Sequence, residues 1–244
     1  PLVRGCVNFV VSLIKGYKYM MKSAEKQFTE EEKEESGSVM YQISMYVGIV
    51  LGLVLAVGLF VFLPKFLVGL MPTVKSLRIL RSIVEGLVKI AIFVLYMYLI
   101  SLTKDIRRQY MYHGAEHKTI ACHEAELPLT VENVRKQTRF HKRCGTSFIF
   151  IVLFVSIFVM CFVPFTVTWQ RVVASLALLP LIVGISYECI RLAGNNDNLF
   201  TKILSAPGLA MQRITTREPD DSMIEVAIAA LRECIPADKA DDKW

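Results

Sequence analysis

Residues 113–117 read His-Gly-Ala-Glu-His and residues 141–144 read His-Lys-Arg-Cys, and together they hold three of the chain's four histidines. On a helix, His113 and His117 lie four apart and share a face, the spacing that offers two imidazoles to one metal ion. With Glu116 the run fits the inverted zincin pattern H-x-x-E-H, in which two histidines bind zinc and the glutamate acts on the attacking water. His141 and Cys144 add an imidazole and a thiolate, a mixture that suits zinc. The expected metal ligands are therefore His113, His117, His141 and Cys144, with zinc or another divalent metal as cofactor and Glu116 as general base. With all four ligands bound the site is closed and structural, whereas an open position can hold a water and support hydrolysis. Gly145 is expected to let the backbone turn tightly around the ion. Plainer roles exist for each residue: imidazoles packed at a membrane interface, Cys144 as a small buried side chain, Glu116 paired with a nearby cation. The spacing of His123 and Glu124 favours nothing beyond solvent exposure.

The elements that position these residues are greasy ones. The chain has 244 residues, 54 % of them hydrophobic, and a mean hydropathy of +0.45, too high for an ordinary soluble domain. Residues 39–64 carry no charge, long enough to span a bilayer as a helix. Residues 147–163, 82–103 and 172–191 are further spans, the last with Pro180 inside it. Within 82–103, Glu85 and Lys89 stand at the spacing of a favourable helical ion pair. The reading is an all-α polytopic membrane protein with about four transmembrane helices, an N-terminal interfacial helix and a cytoplasmic His/Cys loop.

Nine cations, Lys104, Arg107, Arg108, Lys118, Arg135, Lys136, Arg139, Lys142 and Arg143, crowd residues 104–146, while Arg171 stands alone between the last two spans. By the positive-inside tendency the loop and both termini are cytoplasmic and the protein is a multi-pass cell-membrane protein. Lys65, Lys75, Arg78 and Arg81 in the first connection run against this, so that stretch either lies flat on the outer surface or follows a re-entrant first span. Since no proline interrupts 83–127, the second span is expected to continue out of the membrane as one helix, with Gly114 as its weak point.

The organisation follows: 1–38 an amphipathic N-terminal segment, 39–103 the first two spans, 104–146 the metal-binding region, 147–193 the last two spans, and 194–244 a cytoplasmic C-terminal segment with a short helix. Residues 2–17 alternate apolar and basic positions at helical spacing, for a helix lying on the membrane or packed on the protein's own body. In the tail, 198–219 contains two prolines and reads as irregular. Ser222 with Glu225 reads as a capping box opening a helix over 222–235. Glu188 is expected to pair with Arg191 one turn away, or to serve as a distant acidic ligand.

The net charge of +6 is assigned to lipid and topology and not to nucleic acid, since aromatic and basic residues do not interleave. The six cysteines form no spaced framework and read as reduced thiols.

The runs "YHGAEHKTI", "LTVENVR", "RCGTSF", "GISYE" and "PGLAMQRITTREPDD…IEVAI", in this order, resemble the YqhQ-like family of bacterial membrane proteins over nearly the whole chain. That family is a domain of unknown function carrying the label of a metal-dependent enzyme, which the resemblance extends to His113, Glu116, His117, His141 and Cys144. The family commonly has Pro at position 142 and Tyr at 123, so His123 falls outside any family-wide site. The resemblance also marks Gln212, Thr215, Thr216, Glu218 and Glu225, and suggests a tail folded over the His/Cys loop.

The functional expectation is a zinc-dependent hydrolase at the cytoplasmic membrane face, acting on a lipid or a membrane-bound peptide. Its rival is a non-enzymatic scaffold, in which a structural metal clips the loop and the protein binds a membrane-protein partner. A transporter is weaker, since no repeat relates the two halves.

Overall fold

The computed structural model describes residues 2–26, 39–72, 74, 77–196 and 198–236, among which there is no strand. The protein is an all-α membrane protein. Ile43–Gly69 and Arg78–Ile100 are long and apolar enough to cross a bilayer, and Thr168–Ala177 with Leu179–Asn195 would make a third span bent by 53°. Gly145–Cys161 is uncharged and mostly apolar but has 17 residues, about 26 Å at the helical rise. The third expected span, 147–163, is thus a short apolar helix, and two or three spans are long enough to cross a bilayer among the described residues.

The chain divides into two compact units: Pro1–Ile92 with Leu153–Glu188, and Phe93–Val152 with Cys189–Trp244. The first unit opens with α1 (Leu2–Glu25). Gly5 is buried on α9 (Leu179–Asn195), where an added Cβ would come within 2.9 Å of Tyr187 Cβ and 3.1 Å of Gly184 O. Arg4 donates to both oxygens of Glu188 at 2.8 Å. Glu188 therefore holds the N-terminal helix, where the sequence suggested Arg191 as its partner. The start of α1 packs on the protein's own body, and Val7, Val10, Leu13 and Ile14 beyond it are exposed.

The first apolar run is longer than its sequence suggested. α2 (Val39–Val57) passes through a π-helical turn, Gly58–Phe62, into α3 (Leu63–Gly69). Pro64 has no N–H to give the ladder, and the wider turn just before it, with Leu63 N–H bonded to Gly58 O, absorbs that loss without ending the helix. Leu51, Leu53, Val54 and Leu55 of α2 are exposed, as suits side chains facing hydrocarbon. Lys65 and Arg81, two of the cations that complicated the topology, turn inward and are buried.

α4 (Arg78–Ile100) does not run on into the loop region. Ser101 Oγ donates to Tyr98 O at 2.6 Å and Thr103 Oγ1 to Ile100 O at 2.8 Å, closing off the last carbonyls, and extended Thr103 then starts α5 (Lys104–Glu124). The uninterrupted helix expected over 83–127 is thus two helices. Near Pro180 the break is at Leu178, between α8 (Thr168–Ala177) and α9. The proline falls in the first turn of α9, where it has no hydrogen bond to lose.

The second unit packs α5 against α6 (Val131–Arg135) and α11 (Asp221–Cys234). Ala115, Cys122, Val134, Met223, Ile224 and Ile228 form its buried core. α11 is capped by Asp220, which accepts from Met223 N at 2.9 Å, while Ser222 donates to that same carboxylate at 2.7 Å. The cap is therefore two residues earlier than the sequence suggested. Leu199–Thr215, expected to be irregular, is a helix (α10) opened by an Asn198/Thr201 capping box and running through Pro207. Its buried stripe, Thr201, Ser205, Gly208, Met211, Gln212 and Thr215, has helical period but is mostly polar or small. Gly208 lets it approach Ser147 at the start of α7 (Gly145–Cys161): an added Cβ would lie 2.6 Å from Ser147 Cα. That packing outweighs the proline.

Candidate metal centre

α5 has two working faces. Met111, Ala115 and Cys122 enter or border the core, while His113, Glu116, His117, Ile120 and Glu124 line a cleft of about 1080 Å³. The separations 3, 4, 7 and 11 from His113 are those of one helical stripe.

The rings of His113 and His117 stand 4.4 Å apart between centroids. Cys144, the residue before α7, joins them, and one ligand atom from each of the three lies within 4.8 Å of the others. His113 Nε2 is 3.2 Å from Cys144 Sγ. Around a zinc ion with bonds of ~2.0–2.3 Å, ligand atoms sit about 3.5 Å apart, so the donor set is close to the required spacing. The outer nitrogens are tied to backbone carbonyls: His113 Nδ1 donates to Thr215 O at 2.8 Å, and His117 Nδ1 to Arg139 O at 2.6 Å. A carbonyl can only accept, so each Nδ1 carries a proton. In the neutral ring Nε2 is then left as a lone-pair donor, the arrangement that orients metal-binding imidazoles. Two imidazoles, one thiol and this outer support fit a zinc-type ion.

Burial alone would push the Cys144 thiol up, but hydrogen bonds from His113, His117 and Thr146 outweigh it and hold the thiol at about 5. For His113, burial works against the charged ring, yet Cys144, Thr215 O and nearby Glu116 raise its pKa. Without metal, each group thus favours the charged form of the other, the thiol shifted toward thiolate and the imidazole toward its protonated form.

His141 lines the same cleft but stands apart from the triad. Its ring centroid is 5.8 Å from that of His117, its Nε2 is 3.1 Å from Glu124 Oε2, and its Nδ1 accepts from Arg143 N at 3.3 Å. Both nitrogens are occupied. Glu116 is exposed on the cleft wall beside His117. Gly145 is the first residue of α7, with no positive φ and nothing within 4 Å of an added Cβ, so the tight turn expected of it is not made.

Residues 212–218 hold the loop in place. Gln212 is wholly buried, and its amide accepts from His141 N at 2.8 Å and donates to His141 O at 2.7 Å, fixing the path of the loop toward Cys144. Arg139 donates to Thr216 O at 2.6 Å, and Glu218 pairs with Lys118 at 2.8 Å and Arg139 at 3.3 Å. Gly114 allows the approach, since an added Cβ would fall 2.0 Å from Arg217 O. The tail therefore folds over the loop and supports the His/Cys triad. Only the resemblance marked Gln212 and Thr215, whose contacts join distant parts of the chain: a side-chain amide on the His141 backbone and a backbone carbonyl on the His113 ring. Sequence reasoning also set Glu124 aside, though its place on the His113 and His117 stripe was a usable signal.

At the end of α5, Leu127 N bonds Cys122 O at 3.1 Å and Glu126 N bonds His123 O at 2.9 Å. This is a Schellman ending with Glu126 at φ 54°, where glycine is usual. It turns the chain so that Leu127 joins Ile120, Leu231 and Ile235 along the cleft.

The family model described as "Protein of unknown function (DUF1385)" matches residues 1–237. The chain is 38% identical over 245 residues to the "Uncharacterized protein YqhQ" of Bacillus subtilis (strain 168), covering 96% of this chain and 77% of that one. No solved structure matches it. With nearly its whole length inside one family model and most of a relative's length aligned, the chain belongs to the DUF1385 family.

Proposed function

We propose that this protein is a zinc-dependent hydrolase of the cell membrane, with its active site in the His113–His117–Cys144 cleft. The observation that carries the reading is a three-ligand set whose imidazoles are oriented by carbonyls, opening onto a cleft that Glu116 also lines. Three protein ligands with an accessible fourth position is the pattern of catalytic zinc, and four ligands that of structural zinc.

Bound zinc would supply Lewis acidity, acidifying a water and polarising a substrate carbonyl. His113, His117 and Cys144 would hold the ion, and Thr215 O and Arg139 O orient the rings for it. Glu116 takes the proton of the attacking water and returns it to the leaving group. Ile120, Leu127, Leu231 and Ile235 receive an apolar portion, which suits a lipid ester or a membrane-anchored peptide. Cys144 immediately precedes apolar α7, so such a substrate is met close to the bilayer. The excess of Lys and Arg in 104–146 supports a cytoplasmic cleft.

The test is turnover of lipid esters and membrane-anchored peptides by zinc-loaded protein in detergent or bilayers. Glu116→Gln should keep the metal and lose activity by ~10²–10⁴-fold. Equal turnover in parent and Glu116→Gln would remove Glu116 from the chemistry. A site that closes by recruiting His141 would be structural, and the protein then a scaffold for a membrane partner.

A further inference from the structure

The first unit contains a second polar cluster with a different composition. Glu85 is the single acidic residue in 39–92 and 153–187, and Lys65, Arg81, Lys89 and Arg171 gather around it. Arg81 Nε donates to Glu85 Oε1 at 2.8 Å, and Arg171 donates to both oxygens at 2.9–3.1 Å. The two guanidiniums also reach backbone: Arg171 to Phe165 O at 3.1 Å, Arg81 to Thr166 O. Arg81 and Arg171 are 1% and 0% exposed, Glu85 4%. One carboxylate thus serves two arginines and has no charge left for the lysines.

Lys65, 2% exposed, and Lys89 line a cavity of about 10 Å³ together with Ser82, Glu85 and Ser156. Their acceptors among the described residues are neutral: Val61 O at 3.3 Å for Lys65 and Ser156 Oγ at 3.4 Å for Lys89. Lys65 is buried and Lys89 half-buried, and with Glu85 shared by two arginines these two ammonium groups keep their charge on neutral acceptors only if an opposite charge joins them, the alternative being neutral amines. Ionisable groups inside membrane-spanning segments commonly mark ion sites.

We propose that the Lys65–Lys89 cavity binds a single small monatomic anion, chloride under ordinary conditions. The two ammonium groups supply the charge, and the Ser82 and Ser156 hydroxyls are polar groups on its wall. The cavity is at the lower limit for one water-sized occupant, so a halide enters only as the two lysine side chains part, and phosphate, carboxylates and lipid headgroups are excluded by size. The lysine stems are flexible enough to settle around a halide.

The experiment is thermal unfolding of the full detergent-solubilised chain in chloride, bromide, iodide or gluconate at equal ionic strength. Chloride should raise the melting temperature over gluconate by roughly 3 °C or more, saturably, with bromide weaker and iodide weaker still. Lys65→Met and Lys89→Met should each abolish the difference. Identical melting in chloride and gluconate would overturn the proposal, as would an iodide effect larger than that of chloride or a chloride effect that survives both substitutions. Should a variant fail to fold, bromide anomalous scattering from crystals of the parent decides: a peak touching Lys65 and Lys89 supports the site, and no peak there overturns it.

Discussion

In the first unit, Glu85 accepts from two guanidiniums that each reach a further carbonyl, and the three groups are sealed from solvent. In the second, His113, His117 and Cys144 turn their inner atoms toward one another on the wall of an open cleft, with Cys144 Sγ hydrogen-bonded to His113 Nε2 and to Thr146. The ion cluster uses its polar atoms on its own members and on nearby backbone, and so holds α4 to α8 and the segment before it. The His/Cys triad uses its outer nitrogens on backbone carbonyls and gathers its inner atoms on a cleft wall, the arrangement that the proposed metal site requires. The division of hydrogen bonds inside a cluster therefore distinguishes a polar group that holds the fold from one held ready for chemistry.

The largest effect should come from the sealed cluster. Glu85→Leu leaves Arg81 and Arg171 buried without a counter-charge, and should cost about 3–5 kcal/mol in thermal or denaturant unfolding. A loss below about 1 kcal/mol would mean that water enters the cluster, which would weaken the contrast with the cleft.

Gly114→Ala should follow. The new methyl meets Arg217 O and must push residues 215–217 from α5, at about 1–3 kcal/mol. Because Thr215 O orients His113, metal affinity should also fall by roughly 10–100-fold in an equilibrium zinc titration. Gly145→Ala, with open space around it, is the control and should change neither.

The smallest effect in free energy is sharp in its readout. After metal removal, Cys144 should alkylate with iodoacetamide at neutral pH as a thiolate. Because the thiol's pKa is lowered to about 5, the rate should drop only as pH falls through that value, and zinc should protect. An ordinary rise above pH 8 would show that His113 and His117 do not support the thiolate.

Much of this was legible in the residues. The apolar runs marked the long helices, and a His pair at helical spacing followed by H-x-x-C marked the triad, because both patterns are local. What escaped depended on distant partners. Glu85 and Lys89 have ideal spacing for a pair, yet Arg171, 86 positions away, supplies the stronger fork. α10 was hidden because its buried stripe is polar and small, so neither its periodicity nor its tolerance of Pro207 shows in hydrophobicity. The place of His141 is decided by Gln212, 71 residues on, and nothing in H-x-x-C spacing carries that information.

The measurement closest to the central claim is elemental analysis of the chain purified without chelators, beside His117→Ala, Cys144→Ala and His141→Ala. The account predicts about one zinc per parent chain, lost in the first two variants and retained in His141→Ala. No metal in the parent, or zinc lost equally in all three variants, would contradict an open three-ligand site.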